Sequence, residues 1–95
     1  MSRSICVAAL LIAIPGAAIA ADHADRVRAT YEKVCAYCHD TGVAARLDGR
    51  KLLKGYVRVI VRNGSRGMPA FRQAEIDDAT LDALVEFINA MPAEP

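Results

Sequence analysis

Tryptophan is absent from this 95-residue chain, and only two phenylalanines and three tyrosines supply large rings. A chain so poor in aromatic bulk has little from which to build a core. Domains of this size often lean on a disulfide, a metal or a bound cofactor. Histidine is limited to His23 and His39, and cysteine to Cys6, Cys35 and Cys38. Charge of one sign is lacking too: the net charge is +1, which argues against nucleic acid as a partner. The one long apolar run, residues 5–14, is too short to cross a bilayer.

That run follows Arg3 and is broken by Pro15-Gly16, after which Ala18-Ile19-Ala20 fits a small-x-small cleavage site. The pattern predicts a secretory signal peptide over residues 1–20 rather than a retained membrane anchor. Cleavage leaves one domain, residues 21–95, exported to the periplasm with Ala21 or Asp22 at its start. Cys6, too early for a lipid-attachment box, leaves with the leader. So does Arg3, which brings the net charge to 0. Only Cys35 and Cys38 then remain as a staple. A disulfide between them closes too small a loop to restrain much of the unfolded chain.

Three helices are expected, with no strand partner anywhere, so the fold class is all-α. The first runs from Asp25 to Cys38, where Val27, Tyr31, Val34 and Cys38 recur at helical spacing, with Asp22 or Asp25 as its cap. The second spans Leu53 to Arg62. Its "YVRVIV" has the β-branched content of a strand, but Tyr56, Val57, Ile60 and Val61 form a helical stripe ahead of Asn63-Gly64. The last helix begins after Asp77 or Asp78, repeats Leu81, Leu84, Val85 and Ile88, and ends at Pro92. Loops rich in glycine separate them, "TGVAARLDGRKL" and "NGSRGMPAF".

Chemistry gathers at "VCAYCHD", residues 34–40. Cys35-Ala36-Tyr37-Cys38-His39 has the attachment pattern of c-type haem. Two thiols about one helical turn apart can form thioethers with the two vinyl groups of one porphyrin, and His39 then faces the iron from the same side. A zinc site needs two further ligands, and the mature chain offers only His23 as another histidine. A thioredoxin-like pair needs a βαβ setting, which is missing. The expected cofactor is one covalent haem c.

Iron held by His39 has a sixth position. His23, Met68 and Met91 are the candidates. Met68 stands between Gly67 and Pro69 with no periodic apolar neighbours, which favours ligation over gap-filling. Met91 sits at a helix end beside Pro92, where packing is the simpler role. His23 lies next to the expected new N-terminus, at the surface.

The order "VCAYCHD", "VRNGSRGMPAF", "IDDATLDALVEFINAMP" resembles a class I, mitochondrial-type cytochrome c of the small bacterial kind, over residues 31–92. The resemblance implies a small cytochrome c fold, with helices around one haem and the first and last crossing. It implies His39 and Met68 as axial ligands and a haem edge open beside the thioethers. The short chain, "GVAARLDGRKL" and the acidic "IDD" are similar to the cytochrome c subunit of p-cresol methylhydroxylase-type flavocytochromes. There an FAD-containing dehydrogenase subunit oxidises a 4-alkylphenol and passes electrons to the cytochrome, and related enzymes act on eugenol-type substrates. In that family a proline after the haem-binding histidine supplies the carbonyl that accepts its other N–H. Here Ala44-Ala45 stand in its place, so the bond is expected to survive with looser geometry.

A thioether opposite an imidazole favours ferrous iron and leaves no coordination site for substrate, so the chain is expected to carry single electrons and not to be an enzyme by itself. A free shuttle to a respiratory oxidase is the nearest alternative, and a haem enzyme or sensor with an open distal face the more distant one. Charge is segregated: residues 42–72 hold a local +7, residues 73–95 a local −6. Either the two segments balance within the fold, or the arginines near Met68 steer an acidic partner. Tyr31, Leu47, Tyr56, Ile60, Phe71, Leu84 and Ile88 are expected to pack on the haem.

Overall fold

Pro15 opens helix α1 (Pro15–Thr30), in the first turn where its fixed φ suits a helix and its missing N–H costs nothing. The structure, a computed structural model, describes residue 8 and residues 15–93. The helix thus starts well before the expected Asp25. Alanines at 17, 18, 20, 21 and 24 carry it, since alanine is the strongest helix former, and neither Asp22 nor Asp25 caps it. Arg3, Cys6 and the apolar run of the expected leader lie outside the described residues. Residues 16–22 are exposed, and among the described residues the first buried side chain is Val27.

α1 continues through a π-turn at Tyr31–Cys35 into α2 (Ala36–His39), making one helical rod that ends on the Cys-x-x-Cys-His motif. A π-turn carries one extra residue per turn and so rotates the next turn of helix relative to the last. Val27 and Tyr31, up to its first residue, are buried against the last helix. Val34, near its end, and Cys38 beyond it face the opposite cavity.

α3 (Lys54–Asn63) is helical despite its β-branched run. Val57 and Val61 meet the core, and Gly64, at φ 74°, caps the end with its N–H on the Ile60 carbonyl. α4 (Asp78–Ala90) is capped by Asp77, whose carboxylate accepts from the Thr80 N–H at 2.7 Å. Leu81, Leu84, Val85 and Ile88 make its buried stripe, and the chain leaves the helix at Met91 before Pro92. Among the described residues there is no β-sheet.

The core lies where α1 crosses α4. Tyr31 and Phe87 stack with ring centroids 5.4 Å apart and planes at 52°, a geometry aromatic pairs favour. α3 runs antiparallel to α4, held in register by a ladder of ion pairs: Lys54–Glu86 at 2.9 Å, Arg58–Asp82 at 2.8 Å, Arg62–Asp78 at 2.8 Å. This ladder answers much of the charge segregation, because three cations of the basic segment meet three carboxylates of the acidic one. Exposed pairs of this kind contribute little to stability but penalise the wrong register. The loop before α3 is pinned by Asn89, whose side chain accepts from the Leu52 N–H at 2.7 Å and donates to the Leu52 carbonyl at 2.9 Å.

Candidate functional site

Cys35 closes the π-turn, and Cys38 and His39 follow one turn later on α2. All three line a cavity of about 1010 Å3, and Met68 lines it from the second loop. The volume sits at the top of the roughly 300–1,000 Å3 usual for ligand sites, large enough for a porphyrin. Leu47, Tyr56, Ile60, Phe71, Leu84 and Ile88 all line it, as expected. Tyr31 does not. It is buried on the other side of the rod, against Phe87, with its hydroxyl donating to Asp40 Oδ1 at 2.6 Å. The π-turn is the cause, because it separates Tyr31 from the face that carries Cys38.

His39 Nδ1 donates to the Ala45 carbonyl at 2.7 Å. A carbonyl can only accept, so the proton sits on Nδ1 and the Nε2 lone pair is left for a metal. The bond expected from a proline carbonyl is therefore made by an alanine. Its geometry is fixed from the other side, since the Ala44 N–H donates to the Cys38 carbonyl at 2.9 Å.

Cys35 and Cys38 form no disulfide. Burial pushes the Cys35 thiol up to about 11, and the Asp40 charge adds to the effect. A thiol so held is protonated at neutral pH, the opposite of a redox-active cysteine. Among the described residues, no group of three or more His, Cys, Asp and Glu side chains could hold a metal ion.

Met68 is presented by a tight turn. Its N–H donates to the Ser65 carbonyl at 2.9 Å and its carbonyl accepts from the Ser65 N–H at 3.1 Å. Arg66 takes φ 54° at the tip. Gly64 is required beneath it: a Cβ there would stand 2.8 Å from the Met68 carbonyl oxygen. Neither other ligand candidate reaches the cavity. Met91 packs against the core and is absent from the cavity lining, and His23 lines a separate groove of about 260 Å3 between α1 and α4.

Sequence reasoning missed several parts of the wall. Tyr37 and Val43 line the cavity while remaining 77% and 76% exposed, so they form its mouth beside Cys38. Arg50 and Arg66 also line it, with no ion pair among the described residues. Ile76, buried and facing the cavity, gives no periodic signal within "EIDD". The exposed apolar pair had a signal in its adjacency to the thiols. The arginines had none that separates them from surface charge.

Helices wrapped on an apolar cavity, with two thiols, an imidazole and a thioether on its wall, define a c-type cytochrome. Comparison with known proteins narrows the class. Residues 22–88 match the family described as cytochrome c oxidase, cbb3-type, subunit III. The 4-cresol dehydrogenase [hydroxylating] cytochrome c subunit of Pseudomonas putida is 45% identical over 65 residues, 66% of this chain and 58% of that protein. The match thus spans less than two thirds of that relative's length. Two crystal structures of p-cresol methylhydroxylase superpose on 70% of this chain and 93% of theirs. The one with substrate bound gives a TM-score of 0.67 at 42% identity, the one at 2.5 Å resolution 0.66 at 41%.

The chain belongs to the family named for the cbb3-type oxidase subunit, and it is homologous to the cytochrome c subunit of p-cresol methylhydroxylase-type flavocytochromes. Its cofactor is haem c. No helix among the described residues is long and apolar enough to cross a membrane.

Proposed function

We propose that the chain is an exported carrier of single electrons and the electron-accepting subunit of a flavin-dependent 4-alkylphenol-oxidising complex. Cys35 and Cys38 would hold haem c through thioethers, and His39 and Met68 would supply an imidazole and a thioether to its iron. The observation that carries this reading is that these four side chains line one apolar cavity. When bound, a haem with imidazole and thioether ligands exchanges one electron and favours the ferrous state. The chain's own part is to hold the ring, to keep the His39 proton on Nδ1 through Ala45, and to exclude water with leucine, isoleucine and phenylalanine. No acid, base or nucleophile is called for.

Tyr37 and Val43 at the mouth offer an apolar contact beside the thioethers, and Arg50 and Arg66 add positive charge near it. Both features suit docking to a protein with an acidic rim. The partner is an FAD-containing dehydrogenase subunit, and the compartment is the periplasm. Cleavage after Ala20 fits this, because residues 16–22 are exposed and Val27 is the first buried residue among those described. The second reading is a free shuttle to a respiratory oxidase, a partner class that the family's name also brings in.

Expression in a host that attaches haem tests both levels. The expected product carries one covalent haem c, does not bind carbon monoxide readily when reduced at neutral pH, and copurifies with a flavoprotein that reduces it when given a 4-alkylphenol. Ready carbon monoxide binding would remove Met68 from the iron. A monomer that no flavoprotein reduces would leave the shuttle reading standing.

A further inference from the structure

α3 sends three cations to α4 at four-residue intervals, and the third is unlike the other two. Lys54 and Arg58 reach Glu86 and Asp82 with side chains 51% and 48% exposed. Their hydrogen bonds go to those carboxylates. Arg62 is only 23% exposed, and its guanidinium is divided. Nη2 donates to Asp78 at 2.8 Å, while Nη1 donates to the Ile76 carbonyl at 2.7 Å and the Phe71 carbonyl at 3.2 Å.

Those two carbonyls lie in the segment that brings the chain back from Met68 to α4. After Gly64 the loop is fastened at few points. The Ser65–Met68 turn closes on itself, and the Phe71 N–H returns to the Val61 carbonyl at 2.8 Å. Arg62 supplies the remaining ties to α3, at Phe71 and again at Ile76, five residues further on. Both Phe71 and Ile76 line the cavity, so the ties fix the wall beside Met68 as well as the backbone that carries it. A planar guanidinium can serve two carbonyls and a carboxylate at once, whereas a lysine ammonium on a flexible stem cannot reproduce that fork.

We propose that Arg62 is a positioning residue for Met68: by clamping the Phe71 and Ile76 carbonyls to α3 it holds the loop at the depth where the thioether meets the iron. This rests on Met68 being the sixth ligand. Arg62 touches neither iron nor porphyrin in this role. It acts through the loop.

The test uses the holoprotein, with Arg62→Lys and Arg62→Gln set beside Lys54→Gln, which removes a ladder pair that has no tie to the loop. Three signals are followed on heating and at rest: the methionine-to-ferric-iron charge-transfer band, carbon monoxide binding to the reduced protein, and far-ultraviolet circular dichroism. In the Arg62 variants the band is expected to vanish at temperatures further below the loss of helix than in the parent. Carbon monoxide affinity should rise about tenfold as the open state gains population. Lys54→Gln should match the parent in both. Should Arg62→Gln fail to assemble, Arg62→Lys, which keeps the charge, carries the comparison. Band loss that stays locked to helix loss in the Arg62 variants, with unchanged carbon monoxide affinity, would make Arg62 a general stabiliser and overturn the proposal. A parent protein without the band would instead remove Met68 as ligand, and the role of Arg62 with it.

Discussion

The imidazole of His39 and the carbonyl of Ala45 face each other across 2.7 Å, and a second bond, from the Ala44 N–H to the Cys38 carbonyl, keeps them there. Two adjacent alanines thus do different things: one contributes its donor, the other its acceptor. Proline substitution separates them. Ala44→Pro deletes the donor and should destabilise the holoprotein by about 1 kcal/mol. Ala45→Pro keeps the acceptor and removes an N–H that bonds to nothing among the described residues, so its stability should stay within about 0.5 kcal/mol of the parent. Denaturant unfolding followed at the haem absorption would check the pair. Equal stabilities would mean that the Cys38 carbonyl does not hold the loop.

Tyr31 is the other anchor of the motif. Its ring is buried against Phe87 and its hydroxyl donates to Asp40, the residue after His39. Tyr31→Phe keeps the ring and should cost about 1–2 kcal/mol for the lost bond to a carboxylate. Burial, then the Asp40 hydrogen bond and charge, raise the phenol's pKa well above its ordinary value. A raised pKa means that the unfolded chain loses this proton first. The associated stability is therefore complete below about pH 10, the ordinary tyrosine value, and declines as the pH rises from there. Unfolding free energies measured from pH 8 upward should fall in the parent and fall less in Tyr31→Phe. An identical slope in both would assign the alkaline loss to other groups.

How much of this could be read in advance depended on the kind of constraint. That Cys35, Cys38 and His39 would share one wall was legible because their spacing sets them about one helical turn apart. That Met68 would join them on the cavity wall was legible because a methionine between Gly67 and Pro69 gives no periodic packing signal. Arg62 was not, since a cation at a helix end looks the same whether it points to water or clamps a loop. Tyr31 was given the wrong neighbour for a geometric reason. Its stripe with Val27, Val34 and Cys38 assumes one helical period throughout, and the π-turn at Tyr31–Cys35 splits that stripe between two faces. The start of α1 was read too late because two aspartates looked like caps, while alanine propensity carries the helix back to Pro15.

Gly64 lies at the base of the Ser65–Met68 turn and Gly67 within it, and only the first should respond strongly to a methyl group. At Gly64 the backbone has φ 74° and a Cβ would lie 2.8 Å from the Met68 carbonyl oxygen and 3.0 Å from the Ala70 nitrogen. Gly64→Ala therefore costs about 1–3 kcal/mol from the positive-φ backbone alone, and the contact adds to it by pushing the Met68 segment outward. Gly67 has open space around the same atom, so Gly67→Ala should be nearly neutral. Thermal unfolding and carbon monoxide binding should both single out the first variant. Weaker methionine ligation in Gly67→Ala instead would show that the tip of the turn, rather than its base, sets the position of Met68.

The cavity sets the last expectation. Its walls carry Leu47, Ile60, Phe71, Leu84 and Ile88 around about 1010 Å3, and among the described residues the fully buried large side chains are only Leu81 and Val85. Without the group it encloses, that apolar wall faces water and costs stability, and an ordinary domain has only roughly 5–15 kcal/mol to lose. Water in the opening cannot replace the contacts a porphyrin makes with those walls. The double variant Cys35→Ser/Cys38→Ser, which cannot form thioethers, should therefore be largely unfolded when isolated without haem. Its circular dichroism should show far less helix than the holoprotein and no cooperative thermal transition. A native-like spectrum with a sharp melt would place the stability in the crossing of α1 and α4, where Tyr31 meets Phe87, and not in the group the cavity encloses.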